Sequence, residues 1–577
     1  MQLSKKILFL VVTFYFFTTH IHAQPAEIYN YYYTSSVHPL MSDYEEDRGS
    51  LSRFYLIGNS PERRERLKKL QEEYLDKLQQ LDFNKMPTSD RVDYVLFKRN
   101  LEDEIYELNN EKKEFDQVSK YIPFADSIYQ LERLRRRGAF LNSQQTASLL
   151  DDVNEQVARL SKSLKNDKDL PKNLAERAEG TVKGLQAALK SVYDFYYGYD
   201  PSFTWWMEKP YKKLDASLAA YATQLKEKVS KDAMAKDDGS GIIGNPIGRE
   251  EIIRQLRFEM IPYTPEELVD IANKEFAWCD AEMLKVSREM GFGDDWKKAL
   301  EKVKNTYLPA GRQPEKMMEL YTESVSFLKQ HDLLTIPPLA EETWRMNMLS
   351  PERQLVAPFF LGGESLLIAY PTNTMDQDAK EMSLRGNNPH FSRAVLHHEL
   401  IAGHRLQQFM NARYKSYRRF YTPFWSEGWA LYWEMVLWDM NFPKSPEDKV
   451  GMLFWRMHRC ARIIFSLNYH LGKWTPQQCI DFLVDRVGHE RANAEGEVRR
   501  SFTGRYGPLY QMAYMMGALQ FYALKKELVD TGKMPIKQFH DTILRENNMP
   551  VEMVRAILTD QPLTPGHKTS WKFYGKK

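Results

Sequence analysis

The sequence predicts a mainly α-helical protein with two helical lobes and one small β element. Apolar residues recur at spacings of three and four, which is the period of a helix buried on one face; an example is Leu67, Leu70, Tyr74, Leu75 and Leu78. Hydrophobic residues make up 43% and charged residues 27% of the chain, as in folded globular proteins. At 577 residues the chain is also too long for one simple core.

Four predicted helix starts share one device, a capping hydroxyl followed by proline. They are Ser60-Pro61, Thr264-Pro265, Ser445-Pro446 and Thr475-Pro476. The hydroxyl accepts a hydrogen bond from a first-turn N–H group, and the fixed φ of proline suits the first helical position. Because Gln478 follows Thr475 by three residues, a capping box is predicted there.

The domain organisation follows from one stretch rich in Lys, Asp and Gly, residues 236–248, which is predicted to be a linker. It separates an N-terminal helical region, residues 24–235, from residues 249–577, which contain all the candidate chemistry. Inside the second region, residues 354–370 are apolar and interrupted by Gly362-Gly363. This pattern predicts a short strand or a hairpin.

Residues 1–23 have the layout of a secretory signal peptide. Lys5-Lys6 precede an apolar stretch from Ile7 to Phe17, and Ala23-Gln24 is a suitable cleavage point. The stretch is shorter than the roughly 20 residues that span a bilayer, so a retained anchor is the less favoured alternative. We expect an exported protein, periplasmic or extracellular in a bacterium, without stable membrane insertion after cleavage.

Charge and cysteine content narrow the possible partners and stabilising bonds. Lys plus Arg total 80 against 78 Asp plus Glu, and this balance gives no electrostatic reason to expect nucleic acid as a partner. Only Cys279, Cys460 and Cys479 are present, which is not a disulfide scaffold. Cys460 and Cys479 are equally compatible with a disulfide and with buried thiols.

The candidate metal ligands begin with His398-Glu399 and His404. Imidazole is a favoured zinc ligand, and a Glu beside the first ligand can take a proton from water at the metal. Six residues advance about 600° on a regular helix, which leaves the two rings roughly 120° apart. Both rings can bind one ion only if the helix is deformed, and Gly403 permits that deformation.

The alternative first ligand is His397, which lies seven residues before His404. That spacing puts both rings on one helix face but about 10 Å apart along the axis. Ligand bonds near 2 Å to a single ion cannot span this distance. His398 is therefore the predicted ligand.

A third ligand is predicted at Glu427, in the apolar and aromatic run from Phe424 to Trp433. A charged Glu in such surroundings is costly unless it is paired or bound to a cation. Two His and one Glu leave a fourth position open, as in catalytic zinc sites. Glu434, on the same face, is predicted to hydrogen-bond a ligand.

The strings H-E-x-x-x-G-H-x-x-Q at residues 398–407 and E-G-W-A-L-Y at residues 427–432 resemble the bacterial domain-of-unknown-function family 885. The resemblance implies a helical, gluzincin-like zinc peptidase with a deep substrate channel, a bound Zn²⁺ and a peptide substrate. It implies His398, His404 and Glu427 as ligands and Glu399 as the base. Ala402 stands where the family commonly has Pro, so the helix deformation depends on Gly403.

Further side chains are candidates for binding the substrate. His470, Tyr506, Tyr510 and Tyr514 could each donate a hydrogen bond to the developing oxyanion, and Tyr514 has the best family match. Each of them alone is more often a packing residue. Arg500 and Arg505 could pair with a peptide carboxylate or lie solvated at the surface, and residues 362–370 could add a strand to an extended peptide.

These residues together predict an exported zinc peptidase in which Glu399 removes a proton from the attacking water and delivers it to the leaving amine. One alternative is another zinc hydrolase, acting on a different amide or an ester. The other is a non-catalytic helical binding protein. The presence of Glu399 argues against the latter, because a pure metal scaffold does not need a base there.

Export generates the first testable prediction. Protein purified from native cells should begin near Gln24, because signal cleavage follows a small residue at the end of the apolar stretch. N-terminal sequencing of the mature chain, combined with cell fractionation, checks this. Recovery of an intact Met1 from the cytoplasmic fraction would contradict it.

Overall fold

The computed structural model describes residues 34–229, 237–354, 359, 362–504 and 506–575. It is 69% helical, and its strands form a two-stranded sheet, so the prediction of a mainly-α fold is confirmed. Among the described residues, none of the helices combines the length and the apolar character that a bilayer crossing requires. The predicted signal peptide lies outside the described residues.

The helices and strands follow one another along the chain in the order given next. The elements are α1 His38–Phe54, α2 Pro61–Gln79, α3 Thr88–Val118, α4 Ala125–Arg135, α5 Ser143–Leu164, α6 Lys172–Tyr196, α7 Pro201–Glu227, α8 Gly248–Phe258, α9 Pro265–Glu289, α10 Trp296–Lys304, α11 Gln313–Gln330, α12 Pro338–Glu342, β1 Arg345–Met348, α13 Pro351–Gln354, β2 Ser365–Ile368, α14 Gln377–Gly386, α15 Pro389–Glu399, α16 His404–Asn411, α17 Pro423–Asp439, α18 Pro446–His470, α19 Pro476–Phe482, α20 Arg491–Thr503, α21 Tyr510–Leu528, α22 Ile536–Glu546 and α23 Val551–Leu558.

The four predicted helix starts are confirmed. The hydroxyls of Ser60, Thr264, Ser445 and Thr475 each accept a hydrogen bond from a first-turn N–H group, and α2, α9, α18 and α19 begin at the following proline. The capping box at Thr475 is complete, because the side chain of Gln478 also bonds the Thr475 N–H. Local sequence alone therefore determines where these helices begin.

Two separate clusters of buried hydrophobic side chains form the interior. The smaller cluster is formed mainly by residues of helices α4, α5, α6 and α7. The larger one combines α1, α2 and the first half of α3 with residues from Ile242 onward. The 31-residue helix α3, about 46 Å long, reaches from one cluster to the other. The domain division at residues 236–248 stays a prediction.

The β element has a partner that the sequence pattern did not indicate. β2 lies inside the predicted segment, and it pairs with β1 in parallel, with Arg345 opposite Ser365 and Met348 opposite Ile368. The strand prediction is confirmed and the hairpin alternative is wrong, since a hairpin pairs antiparallel strands.

Cys279, Cys460 and Cys479 are buried free thiols, so Cys460 and Cys479 do not form a disulfide. Stability in the described part of the chain therefore comes from packing rather than from cross-links.

Helices α17 and α21 approach each other more closely than side chains normally permit. A Cβ atom on Gly517 would lie 1.9 Å from the carbonyl oxygen of Phe424, and one on Gly428 would lie 2.5 Å from the Gly517 Cα. Only glycine fits at these positions, because real Cβ contacts do not fall below about 3 Å. This contact sets the position of α21 against α17.

Gly517→Ala should lower the free energy of unfolding by about 1–3 kcal/mol, because the added methyl group forces the two helices apart. Chemical denaturation followed by circular dichroism measures the effect. Gly58→Ala is the matched control, since a Cβ there meets nothing within 4 Å. Equal stabilities of the two variants would contradict the close-contact interpretation.

Candidate metal centre

The helix that carries the candidate ligands is broken between His398 and His404. α15 ends at Glu399 and α16 begins at His404. At the break the Gly403 N–H donates to the carbonyl of His397 at 2.9 Å, and a Cβ on Gly403 would lie 1.8 Å from the His398 carbonyl oxygen. Glycine is therefore required here, and the deformation expected from the spacing is present.

A hydrogen bond ties this break to the helix that carries the third candidate. The indole N–H of Trp429 on α17 donates to the carbonyl of Ala402 at 2.9 Å. Trp429 is fully buried, as is most of α17. This hydrogen bond holds the break against the part of α17 that carries Glu427, two residues before Trp429.

His398, His404 and Glu427 are brought together. One ligand atom from each lies within 4.8 Å of the other two, and the described part of the chain has no other such group of three His, Cys, Asp or Glu residues. Glu427 Oε2 lies 3.1 Å from His404 Nε2 and 3.4 Å from His398 Nε2. Bonds of about 2.0–2.2 Å at tetrahedral angles place neighbouring ligand atoms about 3.4 Å apart, so these donors fit one tetrahedral ion such as zinc.

Glu434 orients the first histidine, as its position on α17 predicts. His398 Nδ1–H donates to Glu434 Oε1 at 2.8 Å, and Arg459 Nη2 donates to the same oxygen at 3.3 Å. This bond fixes the imidazole tautomer and directs Nε2 toward Glu427. The arrangement is the usual support for a metal-binding histidine.

The ionisation of these groups matches a cation site. Burial opposes protonation of His404, but the carboxylates of Glu427 and Glu399 outweigh it and raise the pKa of His404 to about 9. Burial opposes ionisation of Glu427, yet His404 and His398 hold its pKa well below the ordinary value. The pocket therefore favours a negative carboxylate together with positive charge beside it.

Glu399, the predicted base, is the last residue of α15 and is 8% exposed. Its side chain lines a cavity of about 790 Å³ together with His404 and Glu427. Burial raises the pKa of the Glu399 carboxyl above its ordinary value, against the opposing effect of the two histidines. Gly362 packs on it so closely that a Cβ would lie 2.5 Å from Glu399 Oε2.

The predicted tyrosines of α21, Tyr510 and Tyr514, also lie at the candidate metal centre. The Tyr510 hydroxyl donates to Glu427 Oε1, and the Tyr514 hydroxyl donates to that of Tyr510 at 3.3 Å. The Tyr514 ring is nearly parallel to that of His398, at an angle of 13°. Burial raises the pKa of both phenols, so both remain protonated donors at neutral pH. Tyr506 lines the cavity with them.

His470 and His397 do not join this group. His470, at the end of α18, contacts Phe502 and is not among the residues that line the cavity, and burial lowers its pKa to about 4. The buried ring of His397 contacts Phe442 and none of the three candidate ligands. Arg500 lines the cavity, whereas Arg505 lies outside the described residues.

A buried charged cluster lies behind Tyr514, and the sequence patterns did not indicate its role. Arg462 Nε donates to Glu497 Oε1 at 2.8 Å, and Arg500 Nε lies 2.9 Å from Glu497 Oε2. All three side chains are buried. The signal available beforehand was Arg462 inside an apolar helix, the same kind of signal that identified Glu427.

Residues 55–558 match the family described as "Bacterial protein of unknown function (DUF885)". A protein of unknown function from Shewanella oneidensis, described as a candidate lipoprotein, has a similar structure with a TM-score of 0.66 at 18% identity, covering 91% of this chain and 100% of its own. A candidate lipoprotein from Colwellia psychrerythraea gives 0.55 at 14% identity, covering 91% of this chain and 99% of its own. At these identities the likeness concerns the fold alone. The comparison with curated proteins gave no match.

Replacing His398, His404 or Glu427 with Ala should weaken zinc binding by more than about 100-fold, since losing an outer partner of a ligand already costs 10- to 100-fold. His397→Ala is the matched control and should keep the metal, because its ring lies outside the group. Calorimetric titration and elemental analysis of folded protein measure this. Loss of zinc in the control but not in His398→Ala would show that the ligand assignment is wrong.

Proposed function

The chain belongs to the bacterial family of unknown function DUF885, and on that premise we propose that it is an exported zinc-dependent peptidase. One observation carries the proposal. His398, His404 and Glu427 present donor atoms at zinc-ligand spacing, and His404 and Glu427 line a cavity that is also lined by the buried Glu399. Two histidines, a carboxylate and an adjacent Glu are the donor set of hydrolytic zinc sites.

Zn²⁺ would be held by the two imidazoles and Glu427, with Glu434 fixing the orientation of His398. When bound, zinc supplies Lewis acidity, which lowers the pKa of water and polarises a carbonyl. The depressed pKa of Glu427 supports this role, because a ligand carboxylate must be ionised. Support also comes from the burial of the site, which strengthens electrostatic interactions inside it.

Glu399 is proposed to take the proton from the attacking water and to deliver it to the leaving amine. A base is most effective when its pKa lies near the working pH, and burial moves the pKa of Glu399 upward in that direction. Its position at the end of α15 places it one residue from a ligand. Its side chain lines the same cavity as His404 and Glu427, so it would be accessible to water in that cavity.

Tyr514 is proposed to donate its hydroxyl hydrogen bond to the oxyanion that forms when water attacks the carbonyl, in place of its 3.3 Å bond to Tyr510. Tyr510 supports it from beside Glu427, to which its own hydroxyl hydrogen is donated. Both phenols stay protonated, and both lie on the cavity wall beside Glu427. Each such donor is worth about 2.7–4 kcal/mol of barrier in comparable sites. Because His470 lies away from the cavity, it has no part in this step.

Peptides are the proposed substrate class because of the shape of the site. A cavity of about 790 Å³ is large enough for several residues of an extended chain. β2 follows Gly362, which contacts Glu399, so a strand edge stands near the proposed base. Export of this chain is supported by its N-terminal sequence and by the description of two of its structural neighbours as candidate lipoproteins.

Glu399→Gln should keep wild-type zinc content but lower peptide hydrolysis by at least about 100- to 10,000-fold, because an amide cannot accept and return a proton at neutral pH. Turnover of a peptide library, analysed by mass spectrometry, measures the effect alongside zinc content. An ester and acyl-amino-acid panel run in parallel tests the other hydrolase classes.

Glu319→Gln is the matched control for this experiment, since its side chain is 58% exposed on α11 and it should leave turnover unchanged. Wild-type turnover by a zinc-containing Glu399→Gln variant would assign the base elsewhere. Absence of turnover of every panel member by zinc-loaded wild type would overturn the proposed function.

A further inference from the structure

Arg500 on α20 is a buried arginine whose side chain lines the cavity. The residue is 7% exposed and lines the cavity with Tyr506, Tyr510 and Tyr514. Its contacts in the described part of the chain are an ion pair with Glu497 and a position 5.2 Å above the Tyr506 ring. Its Nε is buried and donates no hydrogen bond there. A guanidinium carries five donors, so this one is poised to bind an acceptor.

The surrounding charges do not balance. Among the described residues, Glu497 is the one carboxylate in ion-pair contact with Arg500, and it also pairs with Arg462. Burial opposes ionisation of Glu497, but the two arginines lower its pKa to about 2, so it carries a single negative charge. His458, 3.9 Å from Glu497, has a pKa held well below its ordinary value by burial and is neutral. Within this cluster of Arg462, Glu497 and Arg500 one positive charge is left over, and a buried surplus charge is costly unless an anion joins it.

The position of Arg500 defines which anion can join it. The Tyr506 ring that lies beneath the guanidinium is 4.3 Å from the ring of Tyr510, whose hydroxyl donates to Glu427. These two rings connect Arg500 to a candidate metal ligand through a chain of contacts. A peptide advances about 3.3–3.6 Å per residue, so one or two residues beyond a bond held at the metal centre reach Arg500.

We propose that Arg500 binds the C-terminal carboxylate of the substrate and that the protein releases one or two residues from the free C-terminus of peptides. The inference rests on the proposed peptidase function. A guanidinium matches the planar carboxylate with two parallel hydrogen bonds. A terminal carboxylate belongs to the same main chain as the scissile carbonyl, so its distance from that carbonyl is constant from one peptide to the next. A side-chain carboxylate lacks this constancy.

The test uses three matched probes, which are an alanine tetrapeptide with a free C-terminal carboxylate, its C-terminal amide, and the same amide with Glu as the last residue. The zinc-loaded wild type should cleave the free acid at least about 10- to 100-fold faster in kcat/KM than either amide, as expected for loss of charged hydrogen bonds. Mass spectrometry should find one or two residues released. Cleavage of the free acid and its amide with equal kcat/KM would overturn the inference. Cleavage of the Glu amide with the same kcat/KM as the free acid would also overturn it.

Binding separates this inference from the peptidase proposal. Calorimetry with the Glu399→Gln protein should show the same preference for the free acid, whether or not the wild type cleaves it. Acid-selective binding without any turnover would overturn the proposed function and leave the carboxylate site standing. Turnover without a preference for the free acid would support the proposed function and overturn the carboxylate site.

Variants assign the preference to Arg500. Arg500→Gln should bind acid and amide equally, and Arg500→Lys should retain part of the preference because it keeps the charge. Arg499→Gln is the matched control, since Arg499 donates to the Gly241 carbonyl at 3.1 Å, away from the cavity, and should keep the full preference. Retained acid preference in a folded Arg500→Gln protein would overturn the assignment. The comparison of acid with amide in the unmodified protein does not depend on any variant folding.

Discussion

The approach of the Gly403 backbone to the His398 carbonyl is the constraint on which the rest of the site depends. On a regular helix the side chains of His398 and His404 would point about 120° apart. The break removes that separation, and no residue with a Cβ could adopt it. Because Trp429 bonds the broken segment, the two histidines are placed relative to α17, which carries Glu427. A local backbone feature thus becomes a three-residue site only through its contact with another helix.

The close packing of α17 and α21 has a similar consequence for the tyrosines. Gly428 lies one residue after Glu427, and Gly517 lies three residues after Tyr514. Small residues at the crossing let the backbones approach, which carries the phenols of α21 to the carboxylate of α17. The hydrogen bond between Tyr510 and Glu427 is a result of that approach. Interhelical distance therefore controls the donors around the candidate metal centre.

The cavity has two electrostatic poles. One is formed by the carboxylates of Glu399 and Glu427 and the other by the guanidinium of Arg500, and the tilted rings of Tyr506 and Tyr510 connect Arg500 with Glu427. Buried charges of opposite sign on the wall of one cavity orient a dipolar ligand, since reversing the ligand would bring like charges together. A cation at the first pole and an anion at the second would satisfy both sets of groups. This polarity gives the cavity a direction along which a peptide would lie.

The sequence by itself determined the helix starts, the need for a broken helix at Gly403 and the three residues that meet there. The helix starts and the break follow from local rules, because capping and helical periodicity act within a few residues. The third residue follows because a Glu among buried aromatic residues needs a partner wherever its helix packs. Only the tertiary structure decided that β2 pairs in parallel with β1, that Arg500 shares Glu497 with Arg462, and that His470 is remote. His470 lies eleven residues beyond Arg459 on α18, about 16 Å along the axis, so the helix that helps to support Glu434 carries His470 away from the cavity. Contacts between helices distant in sequence depend on how whole surfaces fit together, and local spacing carries no information about that fit.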